Sequence, residues 1–159
     1  MRNEPALVKK IPLGSHGSGK YQKKLWRVVS DTVRIRDYYE YGVCISCGKP
    51  FSHWNESQAG HYKSYNGCRG FSKWDMKNIF AQCAYCNSFR DPNPTGAMFK
   101  DNIIRLYGEK RLEYIASFDK LPVEPISDYD VVQVMASLIK DMKDLPEKPD
   151  YYYEVIEML

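Results

Sequence analysis

Two pairs of cysteines constrain this chain more than any other feature of its sequence. The pairs are Cys44 and Cys47 in "CISC" and Cys83 and Cys86 in "CAYC", and 35 residues lie between them. Two intervening residues let both thiolates of a turn reach one ion, and two such turns complete the tetrahedral shell of four sulfurs that suits Zn²⁺. Such a shell leaves no open position, so we expect a structural zinc whose binding free energy becomes folding free energy. The fifth cysteine, Cys68, is expected to be a small side chain outside this site.

The length and the charge of the chain set further limits. Its 159 residues are enough for one compact domain with a modest core and appendages. No stretch approaches the roughly 18 consecutive apolar residues of a membrane span, and the first residues lack the apolar core of a signal peptide. We therefore expect a cytoplasmic protein with no membrane partner. Residues 1–36 carry nine Lys and Arg against two acidic residues, whereas residues 119–159 carry four against ten. The basic N-terminal region suits the binding of a polyanion, whereas the acidic tail does not.

Local periodicity and capping signals predict most of the secondary structure. Leu25, Val29 and Val33 recur every four residues, and Gly42 is a candidate helix end. Ser127 is a candidate N-cap. The helices expected from these patterns span about 20–41, 97–107, 109–118, 127–143 and 151–159. Short strands and loops are expected over 43–82, and a further helix is expected to begin near the second cysteine pair.

Four stretches, in this order, resemble the HNH, or ββα-metal, nucleases and more closely the phage NinG/Rap recombination endonucleases. They are "IRDYYEYGVCISCGK" (Ile35–Lys49), "AGHY" (Ala59–Tyr62), "KNIFAQCAYCN" (Lys77–Asn87) and "LYGEKRLEYI" (Leu106–Ile115). The resemblance covers roughly residues 24–118. It implies an α+β fold in which a small zinc-stabilised ββα-metal core is flanked by N-terminal and C-terminal helices. The expected organisation is a flexible basic arm (1–19), an HNH nuclease domain with a leading basic helix and trailing helices (20–118), and an acidic helical C-terminal extension (119–159).

The resemblance implies catalytic roles for three residues. His61 matches the histidine at a strand end that acts as general base, and Asn78 matches the asparagine that holds the loop of this base. Asn87, directly after the last cysteine, matches the ligand of the catalytic metal in relatives such as phage endonuclease VII. A histidine with a pKa near ~6.5 suits the deprotonation of water, and one Mg²⁺ or Mn²⁺ can neutralise charge on the phosphate and on the leaving oxygen. The alternatives are a satisfied core histidine, a purely structural Asn78 and a helix cap for Asn87.

Gly60 marks the point where the sequence departs from the better-known HNH pattern. Many HNH nucleases carry a metal-binding Asp directly before the base, whereas NinG-like sequences tend to carry Gly there. A glycine has no side chain with which to bind the metal, so the ligand must come from elsewhere. The candidate replacements are Asp75, which we rank slightly first, and His53, Glu56 and Asp91. Water and the substrate phosphate are further alternatives.

Basic and aromatic side chains flank the predicted site. The DNA-binding candidates are Lys63, Arg69, Lys73, Lys77 and Arg90. Tyr62, Tyr65, Phe71 and Trp74 either stack on bases or build the core. The resemblance implies phosphodiester hydrolysis in DNA, in duplex or in branched recombination intermediates of the Holliday-junction or D-loop type. A non-catalytic zinc-stabilised DNA-binding module and an adaptor that acts through the acidic tail are the alternatives, and a homodimer is left open.

Overall fold

The structure, a computed structural model, describes residues 19–88, 95–123 and 125–153 and is of mixed α+β type. Two short strands, β1 (Gln58–His61) and β2 (Ile79–Gln82), form an antiparallel sheet. The helices are α1 (Lys20–Glu40), α2 (Ala84–Ser88), α3 (Thr95–Tyr107), α4 (Glu109–Ala116) and α5 (Asp128–Met142). The α+β class expected from the sequence is confirmed. Some predictions lie outside the described residues. They concern the arm up to residue 18, the end of the last predicted helix (154–159) and two site candidates, Arg90 and Asp91.

The described residues divide into two compact units. One lies within residues 33–123 and contains both strands, α2, α3 and α4. The other combines residues 19–32 with residues 125–153, which include α5. In this second unit the buried Tyr151 donates a hydrogen bond from its hydroxyl to Asp31 over 2.9 Å. The guanidinium of Arg27 lies 4.1 Å from the Tyr151 ring centroid, within range of a cation–π interaction. The described residues of the acidic segment beyond 124 therefore fold with the first half of α1.

Helix α1 forms where its apolar spacing predicted a helix. Leu25, Val29 and Val33 are fully buried because a four-residue spacing places them on one face. Gly42 follows the helix with a φ of +67°, and its N–H donates to the carbonyl oxygen of Asp37 over 3.1 Å. Glycine adopts this left-handed conformation without steric cost. The predicted helix end is therefore confirmed.

The later helices also begin and end close to their sequence signals. Gly108 alone separates α3 from α4, as its position predicted. α4 ends at Ala116, and the chain continues in a 3₁₀ turn over Ser117–Lys120 rather than in the α-helix expected up to residue 118. The hydroxyl of Ser127 accepts a hydrogen bond from the backbone N–H of Asp130 over 3.1 Å, so Ser127 is the N-cap of α5. Among the described residues, no helix is long and apolar enough to cross a membrane.

The two-stranded sheet is held on its outer side by segments distant in sequence. The register pairs Gln58 with Gln82 and His61 with Ile79. On the other edge of β2, the backbone N–H of Ala81 donates to the Asp37 carboxylate over 2.7 Å, and the Ala81 carbonyl accepts from the N–H of Ile45 over 3.1 Å. Helix α1 and the first cysteine turn thus satisfy backbone groups that a two-stranded sheet would otherwise leave unpaired.

Phe80 of β2 lies at the centre of the core of this unit. Its ring packs edge-to-face against the ring of Phe99 on α3 at 5.6 Å between centroids, and Tyr62 packs edge-to-face against the Phe99 ring at 5.2 Å. Other buried members of this cluster are Ile45, Cys68, Ile103, Ile115 and Phe118. Trp74 is buried as well. For Tyr62 and Trp74, the structure therefore favours the core alternative over stacking on bases.

Candidate metal and catalytic site

The four cysteines of the two CxxC pairs come together in one cluster. All four sulfurs lie within 4.8 Å of one another, and the sulfurs of Cys47 and Cys83 are 3.9 Å apart. A tetrahedral shell with Zn–S distances near ~2.3 Å places its sulfurs about 3.8 Å apart. Three of the cysteines are buried and Cys47 is partly exposed. The cluster can hold a structural zinc ion, as the spacing of the cysteines predicted.

Backbone hydrogen bonds shape the first cysteine turn for this purpose. The N–H of Gly48 donates to the Cys44 carbonyl over 2.8 Å, which closes the turn, and the N–H of Cys83 donates to the Cys44 sulfur over 3.2 Å. Burial raises the pKa of the Cys44 and Cys86 thiols. A coordinated zinc would outweigh this effect, because it deprotonates its thiol ligands outright. The N–H···S bond also favours the thiolate of Cys44.

Cys68 lies outside the cluster, as expected. It is buried, and its sulfur accepts a hydrogen bond from Nδ2 of Asn78 over 3.4 Å. The sulfur also lies 3.6 Å from the carbonyl oxygen of Lys63. Cys68 is therefore part of the packing around Asn78 and not a fifth zinc ligand.

Asn78 holds the segment that follows His61. It is fully buried, immediately before β2. Its Oδ1 accepts from the backbone N–H of Lys63 over 2.8 Å, and its Nδ2 donates to the Lys63 carbonyl over 3.0 Å. Its backbone carbonyl accepts from the N–H of Tyr62 over 3.0 Å. One side chain thus satisfies both backbone groups of a residue two positions beyond the candidate base.

His61 is the last residue of β1 and is partly buried. Its Nε2 lies 2.7 Å from the carbonyl oxygen of Lys73. A carbonyl can only accept, so Nε2 carries the proton of the neutral ring and Nδ1 is the basic nitrogen. Burial lowers the pKa of His61 below its ordinary value, and the hydrogen bond to Lys73 opposes this in part. The ring of Tyr65 packs edge-to-face on the imidazole, with centroids 5.7 Å apart.

Asn87 lies within α2, where Cys86 precedes it. Its Nδ2 donates to Oε1 of Gln58 on β1 over 2.8 Å. This bond orients the amide and turns Oδ1 toward Gly60. A Cβ atom built on Gly60 would lie 2.7 Å from this Oδ1. The structure therefore brings Asn87 next to the residue where the better-known HNH pattern has its metal-binding Asp.

Gly60 itself is covered by the side chain of Gln82. A Cβ on Gly60 would lie 1.6 Å from Oε1 and 2.6 Å from Cδ of Gln82. The Gln82 side chain is held in this place by a hydrogen bond of 2.5 Å from its Nε2 to the hydroxyl of Ser46, between the first two cysteines. A side chain on residue 60 and Gln82 in this conformation are mutually exclusive, so the absence of a carboxylate here has a steric reason.

The candidates for the missing ligand make other contacts. The Asp75 carboxylate accepts from the hydroxyl of Tyr114 over 2.5 Å and from the N–H of Lys77 over 2.8 Å. The Glu56 carboxylate accepts a hydrogen bond from the backbone N–H of Ser52. Nδ1 of His53 accepts one from the backbone N–H of Asn55. Within the described ranges, the four cysteines are the only cluster of three or more His, Cys, Asp or Glu residues that could hold a metal. None of these candidates therefore joins His61 in such a cluster.

The basic residues predicted to bind DNA contact other parts of their own unit. Lys63 forms an ion pair with Asp119 at 2.8 Å, and Arg69 donates to the Leu121 carbonyl over 3.2 Å. The ammonium groups of Lys73 and Lys77 lie 5.0 and 4.7 Å from the ring centroids of Tyr65 and Tyr114, respectively. These contacts are partly exposed and cost little to exchange for a phosphate.

Two polar residues of this site were missed in the sequence. Gln82 and Ser46 are both buried and bonded to each other across 36 positions. A glutamine directly before a cysteine pair and a serine within the other pair are weak signals in a single sequence. Their proximity follows from the clustering of the four cysteines, which brings the two cysteine turns together.

Comparison with known proteins agrees with part of the resemblance described above. A family model for the Bacteriophage Lambda NinG protein matches residues 5–147. No curated protein and no solved structure was found to match. The nuclease activity, the HNH core and the likeness to Rap-type enzymes stay predictions. The family match extends over most of the 159 residues, and the chain therefore belongs to the bacteriophage lambda NinG protein family.

Proposed function

We propose that this protein is a metal-dependent endonuclease that hydrolyses phosphodiester bonds in DNA, with His61 as its general base. The observation that carries the proposal is the orientation of His61 at the end of β1, where Nε2 is bound to the Lys73 carbonyl. That bond leaves Nδ1 as the basic nitrogen. A base that is to accept a proton from water at neutral pH needs a neutral ring with one unprotonated nitrogen, and the lowered pKa favours the neutral ring.

The surroundings of His61 support a fixed position for this base. Asn78 binds both backbone groups of Lys63, and Tyr65 packs against the imidazole. Side chains that act in catalysis need such support, because an error of about 1 Å can cost roughly a hundredfold in rate. The order β1, β2, α2 and the cysteine cluster beside it support the proposal, because the ββα-metal core that the resemblance implies has this order of elements.

Asn87 would hold the catalytic cation through Oδ1. Amide oxygens are ordinary ligands of hard cations, and the bond from Nδ2 to Gln58 keeps this oxygen directed toward Gly60. A bound Mg²⁺ or Mn²⁺ supplies charge neutralisation at the phosphate and at the departing oxygen. The helix that carries Asn87 begins between Cys83 and Cys86, so a zinc ion in the cysteine cluster would also fix the position of Asn87.

The strand geometry suits an in-line reaction. Successive side chains of a strand point to opposite faces. The His61 side chain and the place that a side chain of residue 60 would occupy therefore lie on opposite faces of β1. In-line displacement needs the attacking water and the leaving oxygen on opposite sides of the phosphorus. A phosphodiester at the end of β1 could meet the base on one side and the cation on the other.

We propose DNA as the substrate, with branched recombination intermediates preferred over plain duplex. The preference for branched DNA rests on the resemblance to NinG/Rap sequences. The choice of a polyanion as substrate rests on the positive charge near His61. Lys63, Lys73 and Lys77 lie in the same compact unit as His61, with contacts that a phosphate can replace. A homodimer and a cytoplasmic location remain predictions.

The test is cleavage of labelled four-way junctions and of matched linear duplex by purified protein with Mg²⁺ or Mn²⁺. We expect the junction to be cut faster, and His61→Ala to lower the rate by a factor of about 10² to 10⁴. His53→Ala is the matched control, since His53 lies in a 3₁₀ cap beside Trp54 and is expected to leave cleavage unchanged. Equal cleavage by the wild type and His61→Ala would refute a catalytic role of His61. Binding without any cleavage would instead favour the non-catalytic zinc module.

A further inference from the structure

We propose that Gln82 supplies, through Oε1, the oxygen ligand that residue 60 cannot provide, and that Ser46 holds Gln82 in the orientation needed to do so. This inference rests on the proposed function, because it concerns the catalytic cation of the same site. It concerns an amide ligand and not one of the acidic or imidazole candidates.

The first argument is position. Oε1 of Gln82 lies 1.6 Å from the place where a Cβ of residue 60 would begin, and Oδ1 of Asn87 lies 2.7 Å from the same place. The two oxygens are therefore at most about 4.3 Å apart. Ligands of one Mg²⁺ at about 2.1 Å are separated by no more than ~4.2 Å, and by about 3 Å when they are adjacent. The two amide oxygens can thus converge on one cation beside Gly60.

The second argument is orientation. Each amide has its nitrogen tied to a different neighbour, Asn87 to Gln58 and Gln82 to Ser46. In this arrangement the amide nitrogens point away from Gly60 and the oxygens point toward it. Ser46 lies between Cys44 and Cys47, so a filled zinc cluster would keep its hydroxyl in place. The structural metal would then position Gln82 from one side of the site and Asn87 from the other.

The third argument is burial. Gln82 is only 4% exposed. Among the residues that the structure describes, none donates a hydrogen bond to its Oε1. The Gln82 side chain is therefore held inside the protein, with an unused acceptor oxygen directed at the same point as Oδ1 of Asn87.

A site of two neutral amides has a consequence for affinity. Carboxylates raise the affinity of hard cations through their charge, and this site has none among its proposed protein ligands. We therefore expect weak binding of the cation to the free protein. Replacing Gln82 by Glu would add a full charge at the same position with little change in shape. If Gln82 served only as a hydrogen-bond bridge, this replacement would not raise the affinity for the cation.

The test is a titration of the zinc-loaded full chain with Mn²⁺ in the absence of DNA. Binding is measured as the decrease in the electron paramagnetic resonance signal of free Mn²⁺. We expect Gln82→Glu to tighten binding tenfold or more, and Gln82→Met and Ser46→Ala to weaken it about tenfold. Gln133→Glu on α5 adds the same charge in the other compact unit and is expected to leave Mn²⁺ binding unchanged. Zinc content and circular dichroism show whether each variant is folded.

The outcomes separate this inference from the proposed function. If the wild type cleaves DNA and Gln82→Glu binds Mn²⁺ no more tightly than Gln133→Glu, Gln82 is not a ligand, while the nuclease proposal stands. If neither the wild type nor Gln82→Glu binds Mn²⁺, the inference is wrong regardless of activity. Should Gln82→Met fail to fold, the comparison of Gln82→Glu with Gln133→Glu still decides. As a positive check, Gly60→Asp combined with Gln82→Ala should bind Mn²⁺ at least tenfold more tightly than Gln82→Ala alone.

Discussion

The side chain of Asn78 binds the backbone of Lys63 twice, with Oδ1 accepting from its N–H over 2.8 Å and Nδ2 donating to its carbonyl over 3.0 Å. The two residues are 15 positions apart, and Asn78 is fully buried. This pair of bonds ties the loop after β1 to the start of β2. The loop carries the chain away from His61, so its fixation also limits the positions that the His61 ring can take.

We therefore expect Asn78→Ala to destabilise the protein by about 2–4 kcal/mol, since two partly buried backbone groups of Lys63 lose their partner. Asn78→Asp keeps the acceptor for the N–H but places a buried carboxylate oxygen against the Lys63 carbonyl, and should cost at least as much near neutral pH. Asn66→Ala in the exposed 3₁₀ turn Tyr65–Gly67 is the control and should stay within about 0.5 kcal/mol. Urea unfolding measures all three. Equal stability of Asn78→Ala and Asn66→Ala would contradict the structural role of these bonds.

The cysteine cluster predicts about one zinc ion per chain and a fold that depends on it. Structural zinc sites contribute on the order of 10 kcal/mol or more, so chelation or Cys83→Ser should unfold the unit that contains β1 and β2. Cys68→Ser should keep the zinc, because Cys68 lies outside the cluster. Metal analysis by mass spectrometry and circular dichroism check both variants. A full zinc content in Cys83→Ser would show that the cluster is not the site.

The lowered pKa of His61 predicts the acid limb of the pH profile. The base works when its ring is neutral, so kcat/KM should be constant at higher pH and fall tenfold per unit below the pKa of His61. Burial lowers that pKa, so the fall should be centred below the ordinary value of about 6.5. The same sign applies to stability: the folded state favours neutral His61, and stability is lost as the pH falls through this range. A limb centred above 6.5 would show that another group titrates.

Asp37 lies in α1, but we expect it to stabilise the two-stranded sheet. Its carboxylate accepts from the N–H of Ala81 over 2.7 Å and pairs with Arg36 at 2.7 Å. Asp37→Ala leaves the N–H of Ala81 without its acceptor and a largely buried guanidinium without its carboxylate, and should cost about 2–4 kcal/mol. Asp37→Asn keeps an acceptor for Ala81 and should cost less. Glu40→Ala, exposed at the end of the same helix, should change stability by less than about 0.5 kcal/mol in the same urea titration.

Local signals in the sequence were sufficient to predict the helices and the cysteine cluster. The spacing of Leu25, Val29 and Val33, the glycine at 42 and the cap at Ser127 act over a few residues, so a single sequence contains all the information they need. The CxxC pairs act over a longer distance. Their chemistry is nonetheless specific enough that four thiols predict one site wherever the chain places them.

The surroundings of the candidate site could not be predicted in the same way. The position of Asp75 close to Asn78 in sequence favours it as a ligand, yet its carboxylate accepts a hydrogen bond from Tyr114 of α4. Lys63 was a candidate for DNA contact, and its ammonium pairs with Asp119. Both partners lie about 40 or more residues further along the chain. Side-chain partners at such separations are set by packing, which residue type alone does not indicate.

By itself, the sequence determined which residues form helices, that four cysteines belong to one site, and that the chain resembles NinG-type proteins. Only the tertiary structure decided what occupies the space beside Gly60. The missing side chain lets Gln82 cross from β2 and lie within contact distance of the backbone, where its oxygen and that of Asn87 converge. The physical reason is steric: two groups cannot fill one volume, and which group fills it depends on the register of β1 and β2 and on the bond from Gln82 to Ser46.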